Sequence, residues 1–200
     1  LVETLMPEID NEAYEAVKAN DHRRLARRIR EAASSFPVDM AGTNGAGLTL
    51  LHVACYQGSL ECSKVLLADG HANAHLPASK TRTMPLHLAS LSGNIDLVRL
   101  LLQYQSRCDV QDALGKTAMH YAAISGNLEV IRLLFRSGAS ATIPDSQGRD
   151  PYEYAMEKEQ FEAAELIAQV IKTEDPRGAK PSADDVRLTF DKADLVRPPA

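Results

Sequence analysis

Apolar residues along this chain fall in paired blocks punctuated by single glycines. Leu51-His52-Val53-Ala54 runs to Gly58 and is followed by Val65-Leu66-Leu67. Leu86-His87-Leu88-Ala89 runs to Gly93 and is followed by Leu100-Leu101-Leu102. Met119-His120-Tyr121-Ala122-Ala123 runs to Gly126 and is followed by Leu133-Leu134-Phe135. The step from His52 to His87 is 35 residues and from His87 to His120 is 33. A period of this size predicts a stack of two-helix units, each burying its apolar side against its neighbours, rather than a globule around one pocket. Such a stack works through its surface.

The best unit reads Gly115-Lys116-Thr117-Ala118-Met119-His120-Tyr121-Ala122-Ala123, then Gly126, Leu133-Leu134 and Gly138-Ala139. The unit before it carries Pro85-Leu86-His87 and Gly93. These residues resemble the ankyrin repeat, whose unit reads roughly D-x-x-G-x-T-P-L-H-x-A-A, then G, an apolar helix and G-A. The likeness runs from about Asn11 to Val170, and its weight comes from recurrence in register. It implies an all-α solenoid of helix-turn-helix units with β-hairpin fingers.

Each position has a physical reason. Proline at the first helical position loses no hydrogen bond, and Thr49 and Thr117 suit the caps before it. Ala54, Ala89 and Ala122 are small where inner helices approach. Gly58, Gly93 and Gly126 suit a left-handed turn, and Gly70 and Gly138 suit helix C-termini. The resemblance also implies that His52, His87 and His120 hydrogen-bond backbone between repeats, a structural role rather than a metal or catalytic one.

The repeats bound a domain over residues 1–172, with units near 11–43, 44–76, 78–111, 112–144 and 145–172. The first and last are degenerate, as caps facing water should be. Asn20-Asp21 replaces the first turn glycine, Glu153 the last histidine and Glu159 the last glycine. The finger from Ser34 to Gly47 is long, and two extra residues lie between Gly70 and Pro85. The pattern stops at Thr173, so residues 173–200 read as a tail. Within it, Val186, Leu188 and Phe190 alternate with polar residues as an extended segment does. That segment has two uses: folding back into the groove of the stack, or docking on a partner as an added strand.

Composition adds limits. Hydrophobic residues make up 44% and aromatics 5%, in keeping with a thin Leu/Ala core. No apolar run approaches the ~20 residues that a membrane span needs, and no signal-peptide pattern opens the chain. The first residue is Leu1 rather than Met, which leaves room for further domains. The three cysteines, Cys55, Cys62 and Cys108, are an odd number without C-x₂₋₄-C spacing, so they read as buried thiols of a cytoplasmic or nuclear protein. No zinc, other metal or cofactor is expected.

Catalytic patterns fail. Gly42, Gly45 and Gly47 lack the Lys-Ser/Thr of a phosphate loop, and no G-x-S-x-G elbow exists. Arg23, Arg24, Arg27, Arg28 and Arg30 make a basic helix that suits nucleic acid, phospholipid or an acidic protein, or is a solvated cap answered by Glu31. A net charge of −5 disfavours nucleic acid and leaves an acidic protein as the better partner. Asn73 resembles the finger asparagine that oxygenases hydroxylate in many ankyrin repeats.

Carried over from the family, the partner face comprises Tyr56, Gln57, Leu91, Ser92, Ile124 and Ser125 on the inner helices, then Glu157 and Lys158. Finger positions are Leu48, Lys80, Arg82, Leu114, Lys116, Gln147 and Arg149. Tyr56, Leu91 and Ile124 form an apolar row, read either as padding between helices or as a partner surface. The sequence therefore predicts a non-catalytic adaptor, scaffold or regulatory subunit. Its alternative is the regulatory or targeting domain of a larger enzyme or channel.

Overall fold

The computed structural model describes residues 11–32, 39 and 47–173. The tail, its Val186, Leu188 and Phe190 included, and most of the first finger lie outside the described residues.

Ten helices form five antiparallel pairs among the described residues. They are α1 Asn11–Lys18 with α2 His22–Ala32, α3 Leu50–Tyr56 with α4 Leu60–Ala68, and α5 Pro85–Ser92 with α6 Ile95–Gln103. Then follow α7 Ala118–Ser125 with α8 Leu128–Arg136, and α9 Pro151–Glu157 with α10 Phe161–Thr173. The odd-numbered helices pack side by side as an inner layer and the even-numbered ones as an outer layer. One continuous core runs between the layers. Ala54, Ala89 and Ala122 are fully buried where inner helices meet, and Leu66, Leu101 and Leu134 fill the space beneath them.

The outer helices carry a single apolar stripe. In α2 only Leu25 and Ile29 are buried, four residues apart, and the arginines are left to the water side. The central inner helices α3, α5 and α7 are apolar nearly all round because two neighbours and an outer helix cover them, whereas α1 and α9, with one inner neighbour each, keep a polar face. Turns between paired helices are left-handed at Gly58, Gly93 and Gly126 (φ 68°, 73° and 71°), and Asn20 and Glu159 adopt the same conformation in the end units at 54° and 59°.

Two expectations are corrected. The fingers hold no strand among the described residues. Each is a tight loop held by two backbone bonds, as in Asp112 N–H to Lys116 O at 3.0 Å with Gly115 N–H to Asp112 O at 3.1 Å, too short to make a ladder. Gly70 is not the left-handed residue after α4; His71 is, at φ 54°. The cause is one of the two extra residues. Ala72 N–H reaches back six positions to Leu66 O, whereas Ser106 and Ala139 reach back five, to Leu101 and Leu134. The second extra residue lies in the next finger, which closes from Ala78 N–H to Thr83 O, five positions apart instead of four.

Candidate functional site

The repeated histidines tie each helix start to a carbonyl further along the chain, in the next unit for His52 and His120 and at the end of its own unit for His87. His52 Nδ1 accepts the Thr49 N–H at 3.2 Å, and Nε2 donates to Thr83 O in the following unit at 2.9 Å. His87 bridges Met84 N–H and Val110 O, and His120 bridges Thr117 N–H and Arg149 O. A carbonyl can only accept, so Nε2 holds the proton and the ring is neutral. Burial holds His52 down to about 4 and lowers His87 and His120 as well, against the pull of their carbonyl partners. Glu153 takes the histidine's place in the last unit. Its carboxylate accepts the Asp150 N–H at 3.0 Å while Asp150 accepts the Glu153 N–H at 2.9 Å, a reciprocal cap with no arm toward a further unit.

Two further sets of bonds cross between units. Asn94 and Asn127 cap α6 and α8 with their side-chain oxygens. Their amide nitrogens donate to Gly58 O and Gly93 O of the preceding units, both at 2.8 Å. The fingers also join edge to edge, through Ala113 N–H to Thr81 O and Ser146 N–H to Leu114 O. Asp112 and Asp145 brace their own fingers. Asp145 Oδ1 accepts from Gln147 and Arg149 N–H, and Oδ2 accepts from Tyr154 at 2.7 Å. Burial would raise the Asp145 carboxyl, but the Tyr154 hydroxyl, these backbone donors and Arg149 hold it down to about 2. Tyr121 donates to Asp112 in the same way at 2.7 Å. Sequence reading passed over both devices, although Gly-Asn recurs at 93–94 and 126–127 and Asp and Tyr recur at a spacing of nine.

On this frame the expected partner residues divide. Tyr56 is 62% exposed and Leu114 58%, while Leu91 and Ile124 are half-buried and Ile124 packs on the core. Because α3, α5 and α7 are neighbours, the row is contiguous; it ends at α9 in Glu157, which pairs with Arg149 at 2.9 Å. Lys80 and Arg82 are exposed, and Leu48 is half-buried against the core. Several polar members are engaged inside the stack. Gln57 donates to Lys18 O, Ser92 to Ala89 O, and Ser125 to Ser90 O of the adjacent inner helix. Lys116 sits over the Tyr154 ring at 4.6 Å, and Arg149 contacts Asp145, Glu157 and the Tyr154 hydroxyl.

On α2, Arg24 and Arg28 lie 3.4 and 3.9 Å from Glu12 and Arg27 lies 3.8 Å from Glu31, while Arg23 is exposed. Asn73 is exposed, with its side-chain oxygen accepting the His75 N–H at 2.8 Å. Burial pushes the Cys55 thiol up to about 12 and the Cys62 thiol up to about 11, and Cys108 is buried too. Among the described residues no group of His, Cys, Asp and Glu is arranged to hold a metal, and no helix is long and apolar enough to cross a membrane.

The geometry is that of a helical-repeat solenoid of paired helices joined by fingers. The family model for ankyrin repeats in three copies matches residues 14–112 and again 86–177, and the chain belongs to the ankyrin repeat family. It is similar to the BTB/POZ domain and ankyrin repeat-containing protein NPR5 of Oryza sativa subsp. japonica, 33% identical over 115 residues, 54% of this chain and 22% of that protein. It is also similar to the E3 ubiquitin-protein ligase KEG of Arabidopsis thaliana, 32% identical over 99 residues, 49% of this chain and 6% of that protein. The ankyrin fold is a non-catalytic interaction fold. KEG's name marks an enzyme, and the chain spans only a small part of either relative.

Proposed function

We propose that this stack is an adaptor, scaffold or regulatory module that binds a partner protein through the face made by its inner-helix ends and fingers. One observation carries the reading: two large apolar side chains, Tyr56 and Leu114, stand mostly in solvent on a backbone riveted at every unit. Exposed apolar groups on a rigid frame lose little conformational freedom on binding, and tyrosine is a favoured anchor. Leu91 and Ile124, half-buried on α5 and α7, continue the row from Tyr56. With neutral, buried thiols the module suits the cytoplasm or nucleus.

The test is affinity capture from cell lysate by the intact chain and by a Tyr56→Ala/Leu114→Ala variant, followed by mass spectrometry. Both substitutions sit on exposed atoms, so circular dichroism should be unchanged. A protein retained only by the intact chain supports the reading; an identical set from both chains sinks this face as the binding surface.

A second reading is favoured by the relatives, in which the matched repeats are a minor part of long proteins. Here the stack is the targeting or regulatory domain of a larger protein, and the full-length transcript tests it. Binding of nucleic acid or phospholipid through α2 is less well supported, since Glu12 and Glu31 answer three of its arginines. Steep weakening with salt is the result that reading requires.

A further inference from the structure

Four fingers of the stack share one left-handed position, five residues before the repeat histidine or its substitute. It is Gly47 (φ 71°), Gly115 (79°) and Gly148 (82°) in three of them and Arg82 (53°) in the fourth. Glycine adopts this conformation freely, and a bulky side chain does so against steric resistance. Arg82 is therefore held where the backbone asks for glycine. Backbone strain of this kind gathers at binding sites.

Arg82 lines a groove of about 330 Å³ between the finger bases of the third and fourth units. Arg107 and His75 line it as well, and Pro77, Met84 and Val110 supply an apolar surface. No carboxylate lines the groove among the described residues, and neither arginine belongs to an ion pair there. The finger itself offers none. Ala78 stands where the fourth and fifth units have Asp112 and Asp145, the latter 3.4 Å from Arg149. In a chain of net charge −5, two unpaired guanidiniums beside an apolar wall form a local reversal of sign. A planar guanidinium matches a carboxylate in two-point contact.

We infer that this groove docks an acidic segment of a partner protein, with a Glu or Asp carboxylate between Arg82 and Arg107 and a neighbouring apolar side chain against Met84 and Val110. The inference rests on the protein-binding reading but uses a surface separate from the Tyr56 row.

The probe is a fluorescein-labelled Gly-Leu-Glu-Glu-Leu-Glu-Gly peptide, followed by anisotropy on the full chain at low salt. The Gln-for-Glu version and a single-stranded oligonucleotide serve as the other arms. The expected result is saturable binding of the acidic peptide alone, weakened at least about tenfold in Arg82→Gly/Arg107→Gln and unchanged in Tyr56→Ala/Leu114→Ala. Arg82→Gly relieves the backbone instead of straining it, so lost binding cannot be assigned to misfolding. No binding to the intact chain, or equal affinity in the arginine variant, overturns the inference while leaving the protein-binding reading to its capture experiment. Loss only in the Tyr56 variant overturns it by moving the acidic segment to the row. Tighter binding of the oligonucleotide through the same arginines overturns it in favour of nucleic acid.

Discussion

His52 donates from Nε2 to the carbonyl of Thr83, 2.9 Å away in the next unit, while its other ring nitrogen accepts the N–H of its own helix cap. One neutral side chain thus fixes a helix start and a joint between repeats. His52→Ala should leave the buried Thr49 N–H unpaired and strip Thr83 O of one of its two donors, the Ala78 N–H remaining, and lower stability by about 1–3 kcal/mol. A urea melt checks this; an unchanged midpoint would remove the histidine from the joint.

The same ring makes the stack acid-sensitive. His52 binds a proton at about 4 when folded, against 6.5 for the free side chain, and His87 and His120 are lowered too. Below 6.5 the unfolded chain takes up protons that the folded chain refuses. The stability is whole above pH 6.5 and is lost as pH falls towards about 4, with His52 alone accounting for about 3 kcal/mol. Urea midpoints across that window test it, and in His52→Gln the acid slope should be shallower.

Gly115 and Gly148 are both left-handed, at φ 79° and 82°, yet they should differ under substitution. A Cβ on Gly115 would lie 2.5 Å from Ser146 N, in the seam between fingers, whereas one on Gly148 meets nothing within 4 Å. Gly148→Ala should cost about 1 kcal/mol from backbone strain alone. Gly115→Ala should cost at least about twice that, because a finger must also move. Paired thermal melts decide between the two.

Arg82→Gly should stabilise the free protein by about 0.5–1 kcal/mol, since the strained residue gives way to one at ease there. A fall in the urea midpoint would mean that Arg82 braces the finger instead.

Leu101→Ala, at a fully buried site between the layers, should cost about 2–5 kcal/mol by opening a cavity. Little change in chemical denaturation would show that the core closes around the gap.

Much of the architecture was legible because its signals are local. A histidine and a turn glycine are each demanded by their own unit, so they recur at a readable interval. The degenerate ends were readable for the same reason, since Asn20 and Glu159 tolerate the turn that glycine would make. What stayed hidden depends on a neighbour. Asn94 and Asn127 look like ordinary caps until Gly58 and Gly93 of the preceding units appear beside their amides. Gln57 and Ser125 look free for a partner until Lys18 and Ser90 claim them. The shift from Gly70 to His71 needed a hydrogen bond, Ala72 to Leu66, that no residue type announces.

The substitution at Glu153 gives the array a direction. His52, His87 and His120 each extend a hand toward the C-terminal side, and Glu153 has none to extend. A unit stacked behind α9 would meet a self-contained carboxylate cap at Glu153 in place of the donor that His52, His87 and His120 offer. An architect wishing to lengthen the protein would insert modules before that point, or restore the missing donor and supply a carbonyl to receive it.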